Sequence, residues 1–264
     1  MTIVLSVPQW QGSAVPTAPR LVSGARRAAD LVPADSVVTV PTGDGAVDIV
    51  DGVRALHTLV GNQRQIGAAL AQLDDFVLII GGECSVDVLP IAAIAERYGD
   101  ALTVLWIDAH PDVYGPGQLK TGAFHAMGVR TLLGDGPPAL TPSWTLAPGQ
   151  VILAGERAGG ASEHEYIRKT GLRRYGVVDL EEAFAAVIGP VYVHVDLDVL
   201  DPTEFASVGY PEPDGVRSQQ LVDLISGLGN VVGAAITEYA PVADDPSELA
   251  VIRRLAAAMT RGQA

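Results

Sequence analysis

Three residues able to hold a metal ion stand at alternating positions in Asp108-Ala109-His110-Pro111-Asp112. They follow an apolar run, residues 103–107, with the β-branched and aromatic content of a buried strand. In extended backbone, positions i, i+2 and i+4 point the same way. Two carboxylates and an imidazole buried together are costly without a partner. A divalent cation offsets that cost. The same five residues could instead be a polar loop, with aspartates that cap a helix and a proline that ends the strand.

A second cluster weighs against the plain loop. Asp196 and Asp198 repeat the i, i+2 spacing after the apolar run 191–195. Two strand tips then deliver four carboxylates, from Asp108, Asp112, Asp196 and Asp198, together with His110. Four mutually repelling carboxylates call for two divalent ions, which in two-metal sites lie about 3.5–4 Å apart. Asp201, just before Pro202, reads as a turn former. His194, which strand alternation points opposite to the residues flanking Asp196, reads as a packed core histidine.

The elements that must position these residues alternate along the chain. Strands are expected at 2–7, 37–40, 76–80, 103–107, 150–154, 175–178, 191–195 and 231–236. Helical spacing marks 21–31, 53–73, 86–98, 125–133, 162–170, 180–187, 218–228 and 246–259. The strands are continuously apolar, as in a parallel sheet covered on both faces. A (β/α)₈ barrel and an open doubly wound sheet both fit, and both place sites at the carboxyl ends of strands. With no linker, low-complexity tract or repeat, residues 1–264 are expected to form one domain.

Composition narrows the function. The hydrophobic fraction is 48% and the charged fraction 18%, which suits a large packed interior. The formal net charge is −14, from 31 acidic and 17 basic residues. Such a surface repels phosphate backbones, so no nucleic-acid partner is expected. It suits a site that holds cations or attracts cationic substrates, although solubility explains most of the excess. Cys84 is the one cysteine, so no intrachain disulfide forms and a cytoplasmic protein is expected. Residues 1–7 are too short an apolar run for a signal peptide. No run reaches the ~20 apolar residues that span a bilayer, so no membrane partner is expected.

Three signatures appear in order: a Gly-Gly-acid-ligand-Ser turn at 81–85, Asp-Ala-His-x-Asp at 108–112, and x-Asp-x-Asp-x-x-Asp-Pro at 195–202. They resemble those of the ureohydrolase family, which contains arginase, agmatinase, guanidinobutyrase and formiminoglutamase. The turn Gly209-Tyr210-Pro211-Glu212-Pro213 and the pair Thr237-Glu238 extend the resemblance. It implies a three-layer α/β/α fold with an eight-stranded parallel sheet. It also implies two manganese ions per chain, a cationic guanidino substrate, and homo-oligomers such as trimers or hexamers. By the resemblance, Asp108 and Asp196 bridge both ions; Asp112 and Cys84 bind one, His110 and Asp198 the other. A metal-bridging hydroxide would attack the guanidinium carbon. His125 matches a histidine that passes protons to the leaving amine. Glu238 would pair with the guanidinium through charge-assisted hydrogen bonds. Asp112, His125 and Glu238 are thus the expected catalytic residues. Without these roles His125 is a helix-start histidine and Glu238 a solvated strand-end carboxylate.

One departure stands out. Where the family has a histidine ligand, this chain has Cys84, after Glu83. An inert buried thiol, with one ion lost and a regulatory or structural role, is the alternative reading. A zinc enzyme is another, because zinc accepts sulfur readily. As a ligand, a thiolate adds negative charge that histidine does not. The ions become weaker Lewis acids and their water a weaker acid. The expected substrate is then a guanidine more electrophilic than arginine. A cysteine here resembles the branch of the family that hydrolyses Nω-hydroxy-L-arginine to ornithine and hydroxyurea. Arginases hold the α-carboxylate with asparagines whose places here fall near Tyr114 and Ala123, while Thr121 replaces a serine hydroxyl. Arginine, agmatine, guanidinobutyrate and formiminoglutamate therefore stay open.

Overall fold

The computed structural model describes residues 1–261; the last three residues of the unit expected over 1–264 lie outside the described residues. The chain begins with β1 (Thr2–Val7), α1 (Arg20–Ala29) and β2 (Ser36–Thr39). A small hairpin follows, β3 (Ile49–Val50) and β4 (Val53–Arg54), then α2 (Leu56–Leu70). Next come β5 (Phe76–Gly81), α3 (Val88–Tyr98), β6 (Thr103–Ile107), α4 (Gly128–Leu132) and β7 (Val151–Ala154). The remainder is α5 (Ala161–Thr170), β8 (Arg173–Tyr175), α6 (Leu180–Ala185), β9 (Val191–Asp196), α7 (Ser218–Ser226), β10 (Val231–Thr237) and α8 (Pro246–Met259).

Apart from the hairpin, the strands pair in parallel in the order β2-β1-β5-β10-β9-β6-β7-β8. β2 and β8 each have one neighbour, so the sheet is open and not a closed barrel. Every residue of β1, β6, β7 and β9 is buried, as their continuous apolar sequence requires. The two-residue pleat then sorts side chains between two cores. Leu78, Ile80, Leu105, Ile107, Val193 and Val195 pack with α1, α6, α7 and α8. Ile79, Val104, Trp106, Tyr192 and Ala235 pack with α3, α4 and α5 on the other face. These are the three layers of an α/β/α fold.

Local details differ from the sequence expectations. The helix expected over 53–73 starts at Leu56, because Val53 and Arg54 pair with Val50 and Ile49 around a turn. That turn uses positive φ at Asp51 and Gly52. The sixth strand of the sheet is Arg173–Tyr175, earlier than the expected 175–178. It is an edge strand, where Arg174 faces solvent at little cost and Arg173 donates to the Gly149 carbonyl, while Val178 is 92% exposed in the loop beyond it.

The central neighbours β5, β10, β9 and β6 position the site. From β5 the chain crosses through α3 to β6, beyond β10 and β9. Connections diverge at such a point, leaving a crevice at the carboxyl ends of the strands.

Candidate metal centre

Four strand ends converge there. After β5, Gly82 lies against β1's extension so closely that a Cβ would stand 1.8 Å from the Gln9 carbonyl oxygen. Its N–H donates to Val7 O (2.8 Å), and its own carbonyl accepts from Glu238 N (2.7 Å). Buried Glu83 accepts from Gln9 Nε2 and caps the following 3₁₀ turn through Ser85 N. The turn thus aims Cys84 inward. Its thiol lies 2.9 Å from Asp196 Oδ2, and its N–H donates to Glu238 Oε1 (3.3 Å).

The tips of β6 and β9 hold each other. Asp108 accepts from His110 N (2.6 Å) and Trp106 Nε1 (3.1 Å). Asp196 accepts from Asp198 N, and Asp198 accepts from Ala109 N on the neighbouring tip. His110 Nδ1 lies 3.0 Å from Asp198 and 3.5 Å from Asp108. Asp201 accepts from Thr203 N in an exposed turn, away from this cluster.

Among the described residues, three trios of donor atoms lie within 4.8 Å of one another. They are Cys84, Asp108 and His194; Cys84, Asp196 and Glu238; and Asp108, His110 and Asp198. Asp108 belongs to two trios, and so does Cys84. Asp112 is in none of them, although it is buried beside Asp108 with Oδ2 unpartnered. The structure therefore brings together five of the six expected ligands and adds Glu238 and His194. Asp112 and Glu238 have φ of 51° and 67°, left-handed values that are strained for such residues and tend to collect at working sites.

The electrostatics suit a site built to hold positive charge. Burial, then neighbouring carboxylates, push Asp112, Asp196 and Glu238 well above the usual range. Asp198 is raised to about 6 for the same reasons. Asp108 is lowered: burial opposes this, but His110's hydrogen bond and charge outweigh it. Burial first, then the surrounding carboxylates, raises the Cys84 thiol well above its ordinary value. Buried Asp112 Oδ2, Glu238 Oε2 and His194 Nε2 have no hydrogen-bond partner. Acids that repel each other around orphaned lone pairs suit divalent cations.

Beside the cluster opens a cavity bordered by His110, Tyr114, Thr121, His125, Glu163 and Tyr210. His125 opens a 3₁₀ turn ahead of α4, stacks on Tyr210 at 5.3 Å and approaches Glu238 Oε1 to 3.6 Å. Burial, then the positive charge of His110, lowers it to about 4, so it is neutral at pH 7. Thr121 is exposed at the rim and weakly accepts from Ala123 N (3.5 Å).

The arginase family model matches residues 14–261. The chain belongs to the arginase family. It is accordingly a metal-dependent ureohydrolase, a hydrolase of guanidino substrates. It is 29% identical to an arginase of Bacillus caldovelox, covering 76% of this chain and 74% of that one. It is 30% identical to an N(omega)-hydroxy-L-arginine amidinohydrolase of Streptomyces lavendulae, covering 75% and 73%. The fold resembles that of Entamoeba histolytica arginase, solved with L-ornithine, with a TM-score of 0.87, 20% identity and 98% of both chains covered. No helix of the described residues is long and apolar enough to cross a membrane.

Sequence reading missed the inward-facing nitrogen of His194. It shares strand parity with Asp196, so it lies on the ligand face, one pleat below. Its packing expectation holds, since it is fully buried. The alternation itself was the available signal.

Proposed function

We propose that this arginase-family enzyme hydrolyses Nω-hydroxy-L-arginine to ornithine and hydroxyurea, using two manganese ions per chain. Cys84, Asp108, His110, Asp112, Asp196 and Asp198 would hold them. One observation carries the substrate choice: the Cys84 sulfur stands inside the carboxylate cluster, 2.9 Å from Asp196. As a thiolate it adds negative charge where four aspartates already match two divalent ions. When bound, the ions supply Lewis acidity and a water acidic enough to react near neutral pH. Added negative charge weakens both effects, so a more electrophilic guanidine is favoured over arginine.

The bond that breaks joins the guanidino carbon to the nitrogen that leaves with ornithine. The oxygen of water bonds to that carbon, and one of its protons goes to the leaving amine. His125 borders the cavity and is neutral at pH 7, so it can take up that proton and release it. Glu238 pairs with the cationic guanidinium and fixes its plane. Along the cavity wall, Thr121, Tyr114 and Tyr210 offer hydroxyls, and the lining carries no arginine or lysine. Recognition of an α-carboxylate there rests on neutral donors. The 30% identity with a hydroxyarginine amidinohydrolase supports this reading. A single cytoplasmic domain over 1–264, assembling as trimers or hexamers, completes the proposal.

The test is a panel of hydroxyarginine, arginine, agmatine, guanidinobutyrate and formiminoglutamate with manganese-loaded protein. The highest kcat/KM on hydroxyarginine is expected. A higher value on any other member overturns the substrate assignment.

A further inference from the structure

His194 lies outside the roles assigned so far, yet its surroundings specify one. Its ring stacks on Trp106, with centroids 3.5 Å apart and planes 7° from parallel. The two residues are register partners on β9 and β6, so the ring cannot turn aside without breaking that stack. Nδ1 lies 2.9 Å from Asp87 Oδ2. The other oxygen of Asp87 accepts the Tyr192 hydroxyl. Asp87 is fully buried, as are Tyr192 and His194. A carboxylate that is already an acceptor fixes the tautomer: Nδ1 carries the hydrogen and Nε2 keeps its lone pair.

Nε2 is buried with no partner. A ring nitrogen of His194 lies within 4.8 Å of both the Cys84 sulfur and an Asp108 oxygen, and Nδ1 is already taken up by Asp87. An imidazole oriented by a carboxylate at one nitrogen, with the other facing a thiol and a carboxylate, has the outer support of a metal-bound histidine. In the two trios that contain Cys84, the other donors apart from His194 are carboxylate oxygens of Asp108, Asp196 and Glu238.

We propose that His194 Nε2 is a ligand of the ion that Cys84 binds, entering from the floor of the site, with Asp87 and Tyr192 as positioning residues. This rests on the two-ion reading given above. The neutral nitrogen supplies a donor without adding charge to an already anionic set, and it gives each ion one imidazole: His110 on one side, His194 on the other.

Cobalt-loaded wild-type protein with ¹⁵N-labelled histidine provides the test, because each coordinated imidazole N–H gives a hyperfine-shifted signal. Two such histidine signals are expected, one lost in His110→Ala and the other in His194→Gln. A single signal from protein that holds two ions overturns the ligand role of His194 and leaves the two-ion reading standing. Protein that holds no ion overturns both. Manganese titration supplies the second readout. His194→Gln is expected to weaken one of the two binding steps at least 10-fold, and Asp87→Asn about 10- to 100-fold. Two unchanged steps in a folded His194→Gln protein overturn the proposal.

Discussion

A thiol whose proton is held by burial and by surrounding carboxylates cannot become a ligand without giving that proton up. Loading the metal should therefore release protons, more from the wild-type protein than from Cys84→Ala. Calorimetry in buffers of different ionisation enthalpy measures the difference; equal release from both would remove Cys84 from the ligand set. Cys84→His should shift preference toward arginine by restoring a neutral donor, and an unchanged arginine-to-hydroxyarginine ratio would refute the charge argument. His125→Ala should lower kcat by about 10²–10⁴-fold while two ions stay bound, since His125 is in none of the ligand trios. At this scale the aspartates were legible because alternate spacing at a strand end is a local pattern. Cys84 and Glu238 were legible only through resemblance to a family. The contact between His194 and Asp87 spans 107 positions, and no local pattern records it.

Among the elements, the β5 turn does the most to aim the site. A methyl group on Gly82 would collide with the Gln9 carbonyl, which is backbone and cannot swing away. Gly82→Ala should destabilise the protein by about 1–3 kcal/mol and weaken metal binding, because the same turn carries Cys84. Urea unfolding and a manganese titration of the variant check both effects. A variant with wild-type stability and affinity would show that the turn is not the constraint. The six inner strands of the sheet could be read in sequence because buried parallel strands are continuous apolar runs. The hairpin at 49–54 could not, since two-residue strands carry no period and Val53 continues the helical spacing of α2. The edge strand β8 was displaced for a related reason: Arg173 and Arg174 lack the apolar signal, whereas Val177 and the exposed Val178 after it have one.

The whole molecule carries a net charge of −14, and its centre concentrates acids that ordinary burial would keep protonated. In metal-free protein, Asp198 is raised to about 6, and Asp112, Asp196 and Glu238 are raised well above the usual carboxylate range. The folded state then binds more protons than the unfolded chain. For these groups stability is fully present below the unfolded carboxyl range, about pH 4, and is lost as pH rises through the folded values. His110, raised by Asp198 and Asp108 against the effect of burial, adds to the loss at higher pH. His125 works the other way between about 4 and its ordinary value, but it is one group against several. Metal-free protein should therefore melt at a lower temperature at pH 8 than at pH 5. Manganese should reverse that slope, because it binds the deprotonated ligands. Thermal melts with and without the ion measure this, and a metal-free melting temperature that rises over the same range would contradict it.

The central claim is that strand tips from β5, β6, β9 and β10 enclose two cations together with a cysteine sulfur. Elemental analysis of wild-type protein, dialysed against excess manganese and then freed of unbound ion, tests it most directly. About two manganese ions per chain is the predicted result. An ion-free protein under those conditions would contradict the account.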